Sequence, residues 1–418
     1  MLDLLIANGM IVDGTGNPGF YGAVGVDGDR VRILRGDVAG VAASRVLDAT
    51  GRIVCPGFID MHAHSGLVML AEPAHEPKVR QGVTTEVIGI DGCSYAPFHS
   101  PADFEQFVEV NSGLDGCPPL PGRWSTVEQY LDRFTGRVAV NVVYVVGNSP
   151  LRIGAMGWED RRPTAAELAN QQALLRTALE EGAWGVSTGL DYPPGSYADT
   201  TELIALSREA ARLGGIYHTH VRYSLGDQFL DPFREAIDIG RQSGIATHIT
   251  HFYQRTTAPG GASRMLDLVE TAREAGLDVT FDGYPYAFSS TRLNIVIPQW
   301  AFDGGLTRLR AALRSPEARA RMRCEMTPRA ASWDEMWITH LKRPEHHRFE
   351  GRSLAEVAEL MGKDVVDAVC DLLLLEDQQV SYVSAGASLA TLPRFVGHPL
   401  YMVGSDAVLI GEYPSPRT

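Results

Sequence analysis

The sequence predicts an α/β chain built on a (β/α)8 TIM-like barrel, and three observations carry that reading. Between residues 56 and 406 eight short apolar runs alternate with helical stretches. Histidines and an aspartate stand at the C-terminal ends of several of those runs, where a barrel places its chemistry. The 418 residues also exceed the roughly 250 of a typical barrel, which leaves chain for an insertion and a smaller domain.

Residues 1–55 read as short strands separated by Gly-centred turns, with Asn-Gly and Asp-Gly pairs in LLIANGMIVDG and AVGVDGDRVRIL as hairpin signals. The barrel domain is expected over 56–418. Its strand runs lie at 57–64, 83–91, 138–148, 185–189, 216–220, 245–251, 278–285 and 400–406. Between them, 164–183 carries Thr164 as an N-cap and helical apolar spacing. Helices are likewise expected over 201–215 and 263–276, each ending on glycine. The gap at about 286–399 is too long for a simple crossover. It contains helical segments at 307–323 and 353–362, so a lid or subdomain is expected there.

Composition narrows the function. Hydrophobic residues at 44% and charged residues at 21% exclude long disorder. The 37 basic and 51 acidic residues give a net charge of −14, which argues against nucleic acid as a partner, since phosphate binding needs clustered cations. The five cysteines (55, 93, 117, 324, 370) are scattered without a CxxC pair and read as reduced thiols of a cytoplasmic protein. No apolar run approaches the ~18 residues of a membrane span, and Asp3 interrupts the N-terminus before any signal-peptide pattern can form. Oligomeric state is not readable from the sequence.

The first run ends in His62-Ala-His64, the fifth in His218-Thr-His220, the sixth in His248-Ile-Thr-His251 and the eighth in Asp406. Residues i and i+2 of a strand share a face, so His62 and His64 can both enter the barrel mouth. A lone strand-end histidine is usually a packed residue. Several at the same end of a barrel, joined by an aspartate, instead match the imidazole and carboxylate ligands of a catalytic metal such as zinc.

PGFIDMHAH resembles the amidohydrolase superfamily, and further segments resemble the N-acyl-D-amino-acid deacylases, or D-aminoacylases. These are QGVTTEVIG (81–89), GVSTGLDYPPG (185–195), HTHVR (218–222), ITHF (249–252), DGYPYAFSST (282–291) and GSD followed by PSPRT (404–418). The resemblance implies one or two zinc ions in the barrel and a small β-sandwich built partly from the N-terminal strands. It matches His62 and His64 to the looser metal position, His220 and His251 to the tighter one, and Asp406 to a metal ligand that is also the general acid/base. It matches Tyr284, Ser290 and Arg417 to substrate contacts, with Arg417 suited to hold the substrate carboxylate.

Two positions depart from that pattern. Where the family has a cysteine after the second strand, counting through GIDGCS places Asp91, with Cys93 two residues on as the alternative metal bridge. Where it often has a lysine after the sixth-strand histidine, Tyr253 stands instead, as a candidate substrate-binding residue. The three lysines (78, 342, 363) all lie away from predicted strand ends, which excludes a carboxylated lysine as the bridge. His218, His248 and Asp60 are expected to support the ligands, and His346 and His347 to face solvent.

The implied activity is hydrolysis of N-acyl-D-amino acids to a carboxylate and a free D-amino acid by metal-activated hydroxide. The alternatives are a cyclic-amide hydrolase of the dihydroorotase or hydantoinase type and a metal-free binding relative. Family members usually continue beyond PxPRT with strands that complete the sandwich, so that part of the sandwich is expected to be missing here.

Overall fold

The N-terminal strands alternate buried and exposed side chains, the period-two pattern of a sheet with one packed face. In the computed structural model, which describes residues 1–36, 38–257 and 260–408, they form a compact unit over Met1–Phe58. β1 (Leu2–Ile11), β2 (Phe20–Asp27), β3 (Arg30–Leu34) and β4 (Ala43–Asp48) lie in the order β3-β2-β1-β4, and β5 (Ile53–Val54) also pairs with β1. Leu2, Leu5, Ala7 and Ala23 form the packed face. Among the described residues this small β domain is one sheet, so the second layer of the expected sandwich is not among them. The Asp27-Gly28 signal does close the β2–β3 hairpin, with Asp27 opposite Arg30 and Gly28 at φ +59. The Asn8-Gly9 signal closes nothing. It lies inside β1 at a register shift, where Asn8 takes φ 64.

From Ile59 onward the chain forms a second unit. All eight expected runs are strands: β6 (Phe58–Asp60), β7 (Val83–Ile88), β8 (Asn141–Tyr144) continued by β9 (Val146–Gly147), β10 (Gly185–Gly189), β11 (Ile216–His220), β12 (Ala246–Ile249), β13 (Val279–Gly283) and, after the insertion, β17 (Tyr401–Val403). They run as two sheets, β6-β7-β8 and β17-β13-β12-β11-β10-β9, rather than one continuous ladder. Met61 N–H donates to Val403 O at 2.9 Å and Val145 N–H to Ile88 O at 3.0 Å, which tie the sheets at both edges. Near-continuous burial along β10 and β11 is what a parallel strand covered on both faces requires.

The helices start where the sequence supplies caps. Thr164 and Glu167 make a capping box on Ala165–Glu180, Asp199 caps Thr200–Arg212, and Ser353 with Glu356 caps Leu354–Met361. The expected helix over 307–323 is two, Leu306–Arg314 and Pro316–Glu325, because Ser315 caps a new start that Pro316 opens. The insertion is not only helical. β14 (Phe288–Arg292), β15 (Met336–Leu341) and β16 (Val380–Ala385) form an antiparallel sheet in the order β14-β16-β15.

Candidate metal centre

The strand ends bring the predicted ligands together around one carboxylate. Asp91 Oδ2 lies 3.5 Å from His62 Nε2, 3.8 Å from His64 Nε2, 3.5 Å from His220 Nδ1 and 3.6 Å from His251 Nε2. Asp406 closes the cluster from β17, 3.6 Å from His62 Nε2, 3.3 Å from His64 Nε2 and 3.5 Å from His251 Nε2. Three of these positions, Asp91 (φ 55), His251 (φ 47) and Asp406 (φ 51), hold left-handed backbone, the strain that collects where side chains must be aimed.

The donors fit a cation. Both ring nitrogens of His62 and of His220, together with Asp91 Oδ1, are buried without a hydrogen-bond partner. Donor atoms of His62, His64 and Asp91, of Asp91, His220 and His251, and of His62, His251 and Asp406 converge within 4.8 Å of one another. Buried polar atoms are normally satisfied, so orphans converging on one point mark a site for an ion. A mixed imidazole and carboxylate set suits zinc.

Electrostatics agree. Burial disfavours the charged His64 imidazole, yet Asp115 and Asp406 outweigh it and raise its pKa to about 9. Burial likewise works against His62, but Asp91, Asp282 and Asp406 raise it. Burial pushes the Asp91 and Asp406 carboxyls up, but the surrounding histidines hold both below the ordinary value. Burial also works against His220, but Asp191 and Asp91 raise it, whereas burial holds His251 down to about 4. The cluster's excess negative charge therefore favours the charged form of three of its four imidazoles, where a divalent cation would supply the same charge.

Cys93 does not join this cluster. Its Sγ donates to Asn111 Oδ1 at 3.3 Å, burial pushes its thiol pKa up, and no candidate ligand group among the described residues includes it. Tyr284 and Tyr253 are buried with their hydroxyls hydrogen-bonded to each other, and the Tyr284 ring centroid is 6.3 Å from that of His251. Ser290, on β14, donates to Tyr382 O at 3.3 Å. Arg417 lies outside the described residues.

The supporting shell is where the structure adds most. His64 Nδ1 bonds Asp115 Oδ1 at 2.8 Å, and Tyr95 holds the other carboxylate oxygen. His62 Nδ1 faces Asp282 Oδ2 at 3.5 Å, while Asp282 also accepts from the His251 backbone N–H at 2.9 Å and meets His248 Nε2 at 3.0 Å. His251 Nδ1 contacts Thr250 Oγ1 at 2.9 Å, and His220 Nε2 faces Asp191 Oδ2 at 3.5 Å. Such partners fix which nitrogen points at a metal. Asp115 and Asp282 escaped the sequence reading. Asp282 had a signal in DVTFDG, whereas Asp115, 51 residues from His64, had none.

Of the expected supporting residues, His248 meets Asp282 as above, and His218 Nε2 bonds Met61 O at 3.0 Å while its ring centroid stands 5.7 Å from that of His62. Asp60 accepts from the backbone N–H groups of His62 at 3.1 Å and Ser405 at 2.8 Å rather than from an imidazole. Lys78 is buried and bonded to Asp60 and to Ser405 Oγ, with Glu86 Oε1 at 3.3 Å, so it braces two strand ends without joining the donors. His347 is exposed as expected. His346 is not, because it pairs with the buried Glu376.

The model of the amidohydrolase family matches residues 45–389, most of the chain. The chain belongs to the amidohydrolase family. An N-acyl-D-glutamate deacylase of Alcaligenes xylosoxydans xylosoxydans is 34% identical over 423 residues, spanning 100% of this chain and 76% of that protein. A D-aminoacylase of the same organism is 33% identical over 420 residues, covering 99% and 76%. Among solved structures, an N-acyl-D-glutamate deacylase of Bordetella bronchiseptica, complexed with zinc and a phosphonate mimic of the tetrahedral intermediate, superposes with a TM-score of 0.78. It is 32% identical and covers 97% of this amidohydrolase and 76% of its own chain. The α/β fold with a small β domain is thus shared with proteins of matching sequence.

Proposed function

We propose that this amidohydrolase is a zinc-dependent deacylase of N-acyl-D-amino acids, which releases a carboxylate and a free D-amino acid. The observation that carries this reading is the convergence of His62, His64, His220 and His251 on Asp91, closed by Asp406. Relatives named as D-aminoacylase and N-acyl-D-glutamate deacylase match nearly the whole chain, which favours a linear N-acyl amino acid over a cyclic amide. In this reading His62, His64, Asp91, His220, His251 and Asp406 hold one or two zinc ions. Bound zinc supplies a Lewis acid that brings the pKa of water toward neutrality.

The chain's own residues carry the rest. Asp406, ionised and more accessible than Asp91, takes the proton of the attacking water. As the amide C–N bond breaks, it returns that proton to the departing nitrogen. In this reading Tyr284, buried with its ring 6.3 Å from that of His251, donates its hydroxyl hydrogen to the carbonyl oxygen as charge develops there. Arg417 binds the substrate carboxylate, for which the planar guanidinium fork is suited, and Ser290 contacts the substrate. Tyr253 occupies the place of a family lysine and orders Tyr284 through their shared hydrogen bond. The five cysteines, all unpaired, support a cytoplasmic location, and no helix among the described residues is long and apolar enough to cross a membrane.

The test is a hydrolysis screen with added zinc over N-acetyl and longer-acyl D- and L-amino acids with neutral, acidic and basic side chains. Dihydroorotate and hydantoins are included as the competing class. Turnover of D-configured N-acyl amino acids is expected. Turnover of the cyclic amides alone would overturn the reading.

A further inference from the structure

The insertion between β13 and β17 supplies a cation that reaches the back of the metal cluster. Arg329, in the loop after the helix Pro316–Glu325, donates from Nη1 to Asp191 Oδ2 at 3.0 Å. That oxygen is also the one 3.5 Å from His220 Nε2. The opposite ring nitrogen, Nδ1, faces Asp91 Oδ2 at 3.5 Å. Asp191 follows β10 by two residues and is 4% exposed, so it has little contact with solvent that could replace Arg329.

Packing alone does not orient the ring. Tyr192, Tyr223 and His251 surround His220 at centroid separations of 4.9, 5.1 and 5.0 Å, and these contacts fix where the ring sits. They do not choose which nitrogen carries the proton. A carboxylate facing Nε2 makes that choice, since it favours N–H at Nε2 and leaves the Nδ1 lone pair free toward Asp91. Arg255, in the loop after β12, adds positive charge near Asp191, but the arginine hydrogen bond that holds its oxygen comes from Arg329, in the insertion rather than the barrel strands.

We propose that Arg329 and Asp191 are positioning residues that set the tautomer and aim of His220, and so couple seating of the insertion to occupancy of the metal site. The inference rests on the zinc reading given above. Coupling of this kind is reciprocal: whatever seats the insertion strengthens zinc binding, and zinc in turn holds the insertion loop down.

Zinc affinity by chelator competition, together with hydrogen exchange across residues 326–335 with and without zinc, tests this without recourse to turnover. Asp191→Asn should weaken zinc binding about 10- to 100-fold, the usual range for a partner behind a ligating histidine. Arg329→Gln should fall at the lower end of that range, about tenfold. The double variant should be no weaker than Asp191→Asn alone, and Arg329→Lys should recover part of the loss. Arg323→Gln, an insertion arginine that pairs with Asp364 and Asp367 instead, should leave affinity unchanged. In the parent, zinc should slow exchange over 326–335, and in Asp191→Asn it should not.

Affinity of Asp191→Asn within about twofold of the parent overturns the proposal, as does a double variant whose losses simply add. Should Asp191→Asn fail to fold, Arg329→Gln with unchanged affinity overturns it equally. A parent protein that holds no zinc is a separate result, seen before any variant is made. It overturns the metal reading and this inference with it.

Discussion

Replacing Asp406 by asparagine separates proton transfer from metal holding. Asp406 is 11% exposed at its side chain, against 2% for Asp91, so it is the central carboxylate that a substrate and water can approach. Burial raises its pKa, but His251, His62 and His64 pull it below the ordinary value, so it is ionised at neutral pH and ready to accept a proton. Its backbone lies at φ 51, a conformation that asparagine tolerates as readily as aspartate, and the amide is close in size. The substitution therefore removes a titratable group and little else. In the proposed reading, four histidines and Asp91 remain to hold zinc.

A positioned general acid/base contributes about 10²- to 10⁴-fold to rate. At about 1.36 kcal/mol per decade this is about 2.7–5.4 kcal/mol of barrier. Asp406→Asn should lose that factor in kcat, with KM changed much less and zinc content close to that of the parent. Steady-state deacylation of the best N-acyl-D-amino acid, with zinc measured by elemental analysis on the same preparation, reads both quantities. A kcat within tenfold of the parent at full zinc occupancy would refute the assignment of the proton to Asp406.

Asp91→Asn should lower zinc affinity, whereas Cys93→Ser, whose parent thiol is buried and bonded to Asn111, should leave it unchanged; chelator competition on the pair decides between the two bridge candidates. Arg152 is buried with its Nη1 2.5 Å from Glu202 Oε2, so Arg152→Leu strands a buried carboxylate and should cost about 3–5 kcal/mol in urea unfolding. Arg161, with the Thr164 backbone N–H, holds the Glu167 carboxyl at about 2, below its ordinary 4.5. A lowered carboxyl stabilises the fold fully above 4.5 and loses that effect as pH falls toward 2. The thermal-stability gap between parent and Glu167→Gln should accordingly be open at pH 6 and narrow through that window.

The strands, and the histidines and aspartates at their ends, were legible because each announces itself locally. A short apolar run, ending in five of the eight cases in a histidine or aspartate, needs no partner to be recognised, and each of the eight contains a strand. What failed was non-local. Asn8-Gly9 has the composition of a tight turn, but β1 continues through it because β4 and β5 both pair with the strand on its far side. The sheet inside the insertion went unseen because β14 pairs with β16 across almost a hundred residues, with Ser290 opposite Val383, and no periodicity records such a partner. The capped helices, whose signals span four residues, were legible there.

The same division runs through the site. Which strand-end histidines and aspartates would stand together was readable, but which residues aim them was not, because Asp115, Asp282 and Arg329 are brought there only by tertiary packing. The left-handed backbone at His251 shows why that outer set matters. A histidine at φ 47 is strained, a cost of order 1–3 kcal/mol, and the turn persists only if its surroundings over-determine it. Its N–H is held by Asp282 Oδ1 at 2.9 Å, and the other oxygen of that carboxylate faces His62 Nδ1. One buried carboxylate thus restrains a turn and an imidazole on different strands. At Asp406 (φ 51), the backbone N–H is tied to His62 O at 2.9 Å, back to the first strand end. The strained positions are braced against one another around the cluster, so loss of Asp282 should disturb His62 and His251 together, a coupling that strand-by-strand reading of the sequence has no means to express.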